Sequence, residues 1–279
     1  ALTHASLHHC RLPYARPVRW SDITEEAAHF LVLRLQDDAG HAGAAEICLK
    51  PTWMGAGLRS LAAALQEVFL PLLAGMDPDD LQRVQQRLDG IPENHAAKAL
   101  VDNALHDLQA ARRGTPLWRQ WHGTQQVPVS FTVTRDTPAR MAAEAEAMVA
   151  RHGFRCLKIK GGQGSDADVQ ALRALRTALG DAVDFYVDAN GAYAREDALG
   201  YVQRMHEAGA TAVEDPCPLV PDDAFTRLQL HSPCPVLVDF GCQSLRDMHL
   251  FLQAGARAAS VRKRASRARW ATPCSQNSG

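Results

Sequence analysis

FRCLKIK (154–160), DFYVDAN (184–190), TAVED (211–215) and PVLVD (235–239) are four short apolar runs that each end in charge. Runs of this length suit strands of a parallel sheet, which are buried on both faces and ordinarily exclude charge. Here the charges gather at one end: Lys158 and Lys160, Asp188 with the polar Asn190 beside it, Glu214 and Asp215, then Asp239. VPVSFTV (127–133) before them and AASVRK (258–263) after them extend the series to six readable strands, the last ending at Lys263. Helical stretches lie between, at about 138–151, 165–179, 194–208, 221–231 and 244–254. Gly153, Gly180, Gly209 and Gly255 stand where a helix end takes a left-handed residue. The β-α alternation predicts a parallel α/β sheet. Its rival is an open doubly wound sheet, but no glycine-rich phosphate loop follows the first strand, and Gly161-Gly162 after the second has the wrong spacing.

The intervals between the charged ends are regular. Lys160 to Asp188 is 28 residues, then 26 to Glu214, 25 to Asp239 and 24 to Lys263, one β/α unit per step. In a barrel such groups share the mouth at the C-terminal strand ends, where active sites are built. Lys158 and Lys160 are two apart and so share a strand face. Three converging carboxylates repel unless a cation lies between them, and an all-oxygen set suits Mg²⁺ or Mn²⁺ better than zinc. Each of the three could instead cap the following helix. A lysine beside a metal and a second lysine is expected to have a lowered pKa and to serve as a base. Two lysines on opposite faces of a substrate allow racemisation or epimerisation; one base with the other as acid or cation allows elimination or cycloisomerisation.

Ahead of the barrel the rhythm differs. Residues 1–10 and 29–36 read as strands, the second turning at Asp37–Gly40 into a partner at 44–47. Helical spacing follows at 57–74, 78–88 and 93–112. This gives an α+β domain, residues 1–122, before a TIM-like (β/α) barrel domain, residues 123–279; the first is the capping domain under the resemblance given below. Only 16 residues follow Lys263, too few for two more units, so the barrel is expected to be incomplete, by truncation or by a shifted frame near 257–263.

The 279 residues carry a net charge of −1, so no basic field points to nucleic acid. No apolar run is long enough to span a membrane, and the opening ALTHASLHHC has no signal-peptide h-region. The cysteines, seven in number and scattered, fit a reduced cytoplasmic protein.

The K-x-K of Lys158-Ile159-Lys160, the D-x-N of Asp188-Ala189-Asn190, the E-D-P of Glu214-Asp215-Pro216, Asp239 and Lys263 together resemble the enolase superfamily. Within it the likeness is to the mandelate racemase/muconate lactonizing enzyme group, nearest its muconate lactonizing subgroup, and it extends back over HAAKALVDNALHDLQAARRGTPLW. The resemblance implies that Asp188, Glu214 and Asp239 bind Mg²⁺, that Lys160 and Lys263 are the acid/base pair, and that Lys158 polarises a substrate carboxylate. It implies capping loops at 13–25 and 48–56, with Tyr14, Trp20, Trp53 and Met54 as substrate contacts and Asn190 beside the metal site. The chain departs from the pattern at Asp239-Phe240-Gly241, where the family often has D-E-S. The expected function is a Mg²⁺-dependent isomerase or lyase that removes the α-proton of a small carboxylate through an enediolate, in a homo-oligomer. One alternative is a catalytically silent remnant that keeps metal binding or self-association. Another is a Schiff-base aldolase, which would not need three carboxylates.

Overall fold

The computed structural model describes residues 1–20, 23–51, 55–123 and 126–256, with backbone alone for Arg19 and Trp20. Trp53, Met54, Lys263 and the sixth strand expected at 258–263 lie outside the described residues. The described chain forms two compact units, one of residues 1–16 and 26–127, the other of residues 17–25 and 128 onward.

In the first unit, β1 (Leu2–Trp20), β2 (Ile23–Asp37) and β3 (Ala42–Cys48) form a sheet in that order, with β2 and β3 antiparallel. Leu31, Leu33 and Leu35 alternate along β2 and are all buried, so one face of the sheet is apolar. Helix α1 (Leu58–Ala64) continues through a π turn (Leu65–Phe69) into α2 (Leu70–Leu73), followed by α3 (Leu81–Asp89) and α4 (His95–Arg113), with α5 (Leu117–Gln120) after them. α4 buries Ala97, Leu100, Val101, Ala104, Leu105 and Leu108 against the sheet's core. Gly43 permits the approach: a Cβ there would stand 2.1 Å from the Leu108 backbone nitrogen.

The expected loop at 13–25 is instead strand over 13–20 and 23–25, because β1 runs to Trp20 and β2 starts at Ile23. Pro13 and Pro17 argue against a strand in the sequence, yet β1 is the edge of its sheet, the one place where a missing N–H costs no ladder bond.

The second unit alternates β4 (Phe131–Val133), α6 (Pro138–His152), β5 (Cys156–Lys160), α7 (Ser165–Leu179), β6 (Asp184–Asp188), α8 (Ala198–Glu207), β7 (Ala210–Glu214), α9 (Asp223–His231), β8 (Val236–Leu237) and α10 (Leu245–Gln253). These strands are parallel, in the spatial order β4-β5-β6-β7-β8. Each crossover therefore steps to the next strand in one direction, which is barrel winding and not the reversing order of a doubly wound sheet. With right-handed crossovers the helices share one face. Leu157, Phe185, Val187, Val213 and Val236 are buried under them with Leu172, Leu175, Val202 and Met205. Each large apolar side chain removed from water contributes about 2 kcal/mol.

Gly153, Gly180, Gly209 and Gly255 all have positive φ, at 70°, 62°, 101° and 91°, as helix ends at those places require. The first barrel strand is shorter than expected: Val127 and Val129 are exposed, and pairing starts only at Phe131.

Candidate active site

The parallel register sets Lys160 of β5 opposite Asp188 of β6, and Asp188 opposite Glu214 of β7. Adjacent strands thus carry their charged tips in one row, a strand spacing apart. The row ends at β8, where Leu237 stands opposite Glu214. Asp239 is two residues further along, one pleat beyond the row.

Lys158 and Lys160 share a face of β5 and converge on one carboxylate. The Lys158 Nζ lies 2.7 Å from Asp188 Oδ2 and 2.7 Å from Glu214 Oε1. The Lys160 Nζ lies 2.6 Å from the same Asp188 oxygen and donates to Asn190 Oδ1 at 3.0 Å. Asn190 returns its backbone N–H to Asp188 Oδ1 and its Nδ2 to Oδ2, at 2.9 and 3.1 Å. Asp188 and Glu214 are almost wholly buried.

Burial works against every charge in the cluster, and the partners decide the outcome. For Asp188, burial is overcome by the two ammonium groups, which hold its carboxyl below the usual range. For Lys158, burial is overcome by the charges of Asp188 and Glu214, which hold it well above its ordinary value. For Lys160, burial prevails with help from the neighbouring Lys158 charge, and its pKa is lowered. Two ammonium groups share Asp188, and Lys158 alone also has Glu214. Lys158 therefore holds its proton more tightly than Lys160 does.

Asp215 follows Glu214 with φ of 41°, and Asn190 follows the Asp188 strand end with φ of 52°. Both are left-handed residues other than glycine, a conformation that clusters at working sites. The Asp215 carboxyl accepts the backbone N–H groups of Asp239 at 3.2 Å and Phe240 at 2.8 Å. Burial lifts it to about 7 despite those two donors, with the Asp188 and Asp239 charges adding to the effect.

The structure brings Lys158, Lys160, Asp188, Asn190 and Glu214 together. It does not gather Asp239 with them: among the described residues no three His, Cys, Asp or Glu side chains stand at metal-ligating distances. The reason is the pleat offset at Leu237, together with a lysine lying between the two nearer carboxylates. None of the three carboxylates caps the following helix; Asp197, Asp222 and Ser244 stand at those N-caps. Tyr14 is half-buried on β1, and the side chain of Trp20 is not described.

Sequence reasoning passed over Asp168, which is 3% exposed on α7. It lies on the stripe of Leu172 and Leu175, four and seven residues on, and a carboxylate on an apolar stripe was the available signal.

The chain thus sets an α+β unit ahead of singly wound parallel β/α units whose strand ends carry lysines and carboxylates. The chain belongs to the enolase superfamily, in the mandelate racemase/muconate lactonizing enzyme group. Residues 4–120 match the family model "Mandelate racemase / muconate lactonizing enzyme, N-terminal domain", and residues 140–261 match "Enolase C-terminal domain-like". Over 240 residues it is 29% identical to a chloromuconate cycloisomerase of Pseudomonas putida, a match that takes in 84% of this chain and 65% of that one. It is 30% identical over 204 residues to the L-Ala-D/L-Glu epimerase of Bacillus subtilis, covering 71% of this chain and 55% of the epimerase. Among solved structures it is similar to the muconate lactonizing enzyme of Pseudomonas fluorescens complexed with muconolactone, with TM-score 0.85, 26% identity, and coverage of 91% and 70%. The liganded epimerase from B. subtilis gives TM-score 0.84 at 25% identity, covering 90% of this chain and 71% of that one. The chain thus spans 65% of the length of the chloromuconate cycloisomerase it matches.

Proposed function

We propose that the chain is an isomerase that removes the α-proton of a small carboxylate substrate, with Lys160 as the base and Lys158 as a fixed cation. The observation that carries this reading is the shared Asp188 oxygen: two lysine amines meet one buried carboxylate, and of the two Lys158 also bonds Glu214. A neutral Lys160 amine accepts the α-proton. Lys158, still charged, faces the negative charge that builds on the substrate carboxylate. Asn190 holds the Lys160 amine by its amide oxygen, and this orients the lone pair. Lys263 is the second acid/base lysine of the proposal and returns a proton to the opposite face.

Mg²⁺ or Mn²⁺ belongs to the same reading, with Asp188, Glu214 and Asp239 as its holders. Asp188 and Glu214 fit such an ion: their donors are oxygen, and Asp188 Oδ2 and Glu214 Oε1 already converge on one cation, the Lys158 ammonium, with Asp239 the third holder of the proposal. When bound, the metal supplies positive charge at the substrate carboxylate and so acidifies the α-proton. The relatives' names support an isomerase: chloromuconate cycloisomerase, L-Ala-D/L-Glu epimerase and N-succinyl-L-Arg/Lys racemase. Substrates of this reading are small carboxylates such as dipeptides or N-acylated amino acids, turned over by a cytoplasmic homo-oligomer.

Two measurements test it. Calorimetric titration with MgCl₂ should give a binding isotherm for the wild type and none for Glu214→Gln. Incubation in D₂O with Mg²⁺ and a panel of dipeptides and N-succinyl amino acids should exchange an α-proton. Metal binding without exchange on any probe would favour the silent remnant.

A further inference from the structure

Behind the lysine row lies a second buried polar cluster that none of the steps above uses. Its centre is Asp168 of α7. Asp168 Oδ2 accepts the Gly162 N–H at 2.7 Å, the Tyr193 hydroxyl at 2.6 Å and the Tyr201 hydroxyl at 2.9 Å, while Oδ1 accepts the Gln163 N–H at 3.2 Å. The two phenol rings stack with centroids 4.1 Å apart. Burial and the Asp168 carboxylate push both phenols well above their ordinary range, so both stay donors.

The partners of Asp168 come from places that matter to the row. Gly162 and Gln163 belong to the turn that begins directly after Lys160. Tyr193 is on the loop that begins with Asn190, and Tyr201 is on α8. Both peptides that flank Gly161 are held: its N–H donates to the Asp188 carbonyl at 2.9 Å and its carbonyl accepts from Arg135 Nε at 2.6 Å. No side chain fits at Gly161, where a Cβ would lie 2.8 Å from Val187 Cγ1, 2.9 Å from the Tyr201 hydroxyl and 3.0 Å from Asp168 Oδ2. One carboxylate therefore ties the turn after the proposed base to the loop carrying the group that orients its amine.

We propose that Asp168 is a positioning residue: through Gly162, Gln163 and Tyr193 it fixes the backbone after Lys160 relative to Asn190, and so holds the amine in the one orientation that proton transfer uses. This rests on the role of Lys160 proposed above. Asp168 touches no substrate in this account and acts entirely through Lys160.

The test uses the full chain and reads the lysines directly. Limiting acetic anhydride is applied to wild type and Asp168→Asn, and peptide mass spectrometry compares Lys160 with Lys158. Deuterium uptake at residues 161–163 is followed in parallel. The expected result is a several-fold change in Lys160 acetylation with Lys158 unchanged, and faster exchange confined to the turn. With any dipeptide or N-succinyl amino acid the wild type turns over, kcat should fall about tenfold to a hundredfold at unchanged KM, the usual effect of losing a supporting partner. Unchanged Lys160 acetylation in a folded variant would overturn the proposal, as would an equal rise at both lysines, which marks general loosening. If Asp168→Asn does not fold, Tyr193→Phe removes one of the bonds and is judged by the same readings. A wild type that turns over no probe sinks the isomerase reading, while the acetylation pattern still decides the positioning one.

Discussion

Lys158 and Lys160 differ by one strand pleat and by their partners, and that difference predicts opposite phenotypes. Lys160→Met removes the proposed base but leaves Asp188 paired with Lys158. Isotope exchange should fall by about a hundredfold or more, the usual scale for losing a general base, with little change in melting temperature. Lys158→Met leaves Asp188 and Glu214 buried with less compensation. Without metal that variant should lose about 3–5 kcal/mol, measured by urea denaturation, since breaking a buried pair strands a charge. MgCl₂ should restore more stability to Lys158→Met than to the wild type, because Asp188 and Glu214 would again have a cation to face. Equal stabilisation of both proteins by Mg²⁺ would show that the ion binds elsewhere.

At the scale of elements, close approach and end-capping decide most of the outcome. Gly43→Ala would drive a methyl into the backbone of α4 at Leu108 and Ala104, so the chain must shift. A loss of about 1–3 kcal/mol is expected on chemical denaturation, as for an overpacked core. Asp37 ends β2 and is buried; burial alone would raise its pKa, but the His41 amide and ring and the Ala39 amide hold it below its ordinary value. Arg112 adds an ion pair at 2.9 Å. A depressed folded pKa gives stability that is present at neutral pH and lost as acid protonates the group. Asp37→Asn should therefore melt below the wild type at pH 7, with the gap closing as pH falls through the carboxylate range; a gap independent of pH would rule the charge out. The elements most legible in the sequence were those with strong periodicity, and 165–179 matches α7 to the residue. Those least legible turned on tertiary facts. Prolines are tolerated in β1 only because it is an edge, and residue intervals of 24 to 28 cannot reveal that Leu237, and not Asp239, stands opposite Glu214.

For the whole molecule, two separate apolar clusters support two compact units, and the charged row belongs to the second. A ligand that binds only the folded state stabilises it by mass action, by about 2.7 kcal/mol at a hundredfold excess over Kd. Thermal scans with rising MgCl₂ should therefore move the wild-type transition upward and leave that of Glu214→Gln unmoved. The row itself was visible from sequence because its members are charges on apolar runs. The buried bracket around Asp168 was not, since a single aspartate in a helix usually faces water.

The left-handed backbone at Asn190 has a practical outcome for anyone selecting hardier versions of this protein. Glycine at that position would relax the chain while deleting the amide that steadies the Lys160 amine. A screen scored on heat resistance alone would welcome Asn190→Gly, and under the proposed function a screen scored on turnover would discard it.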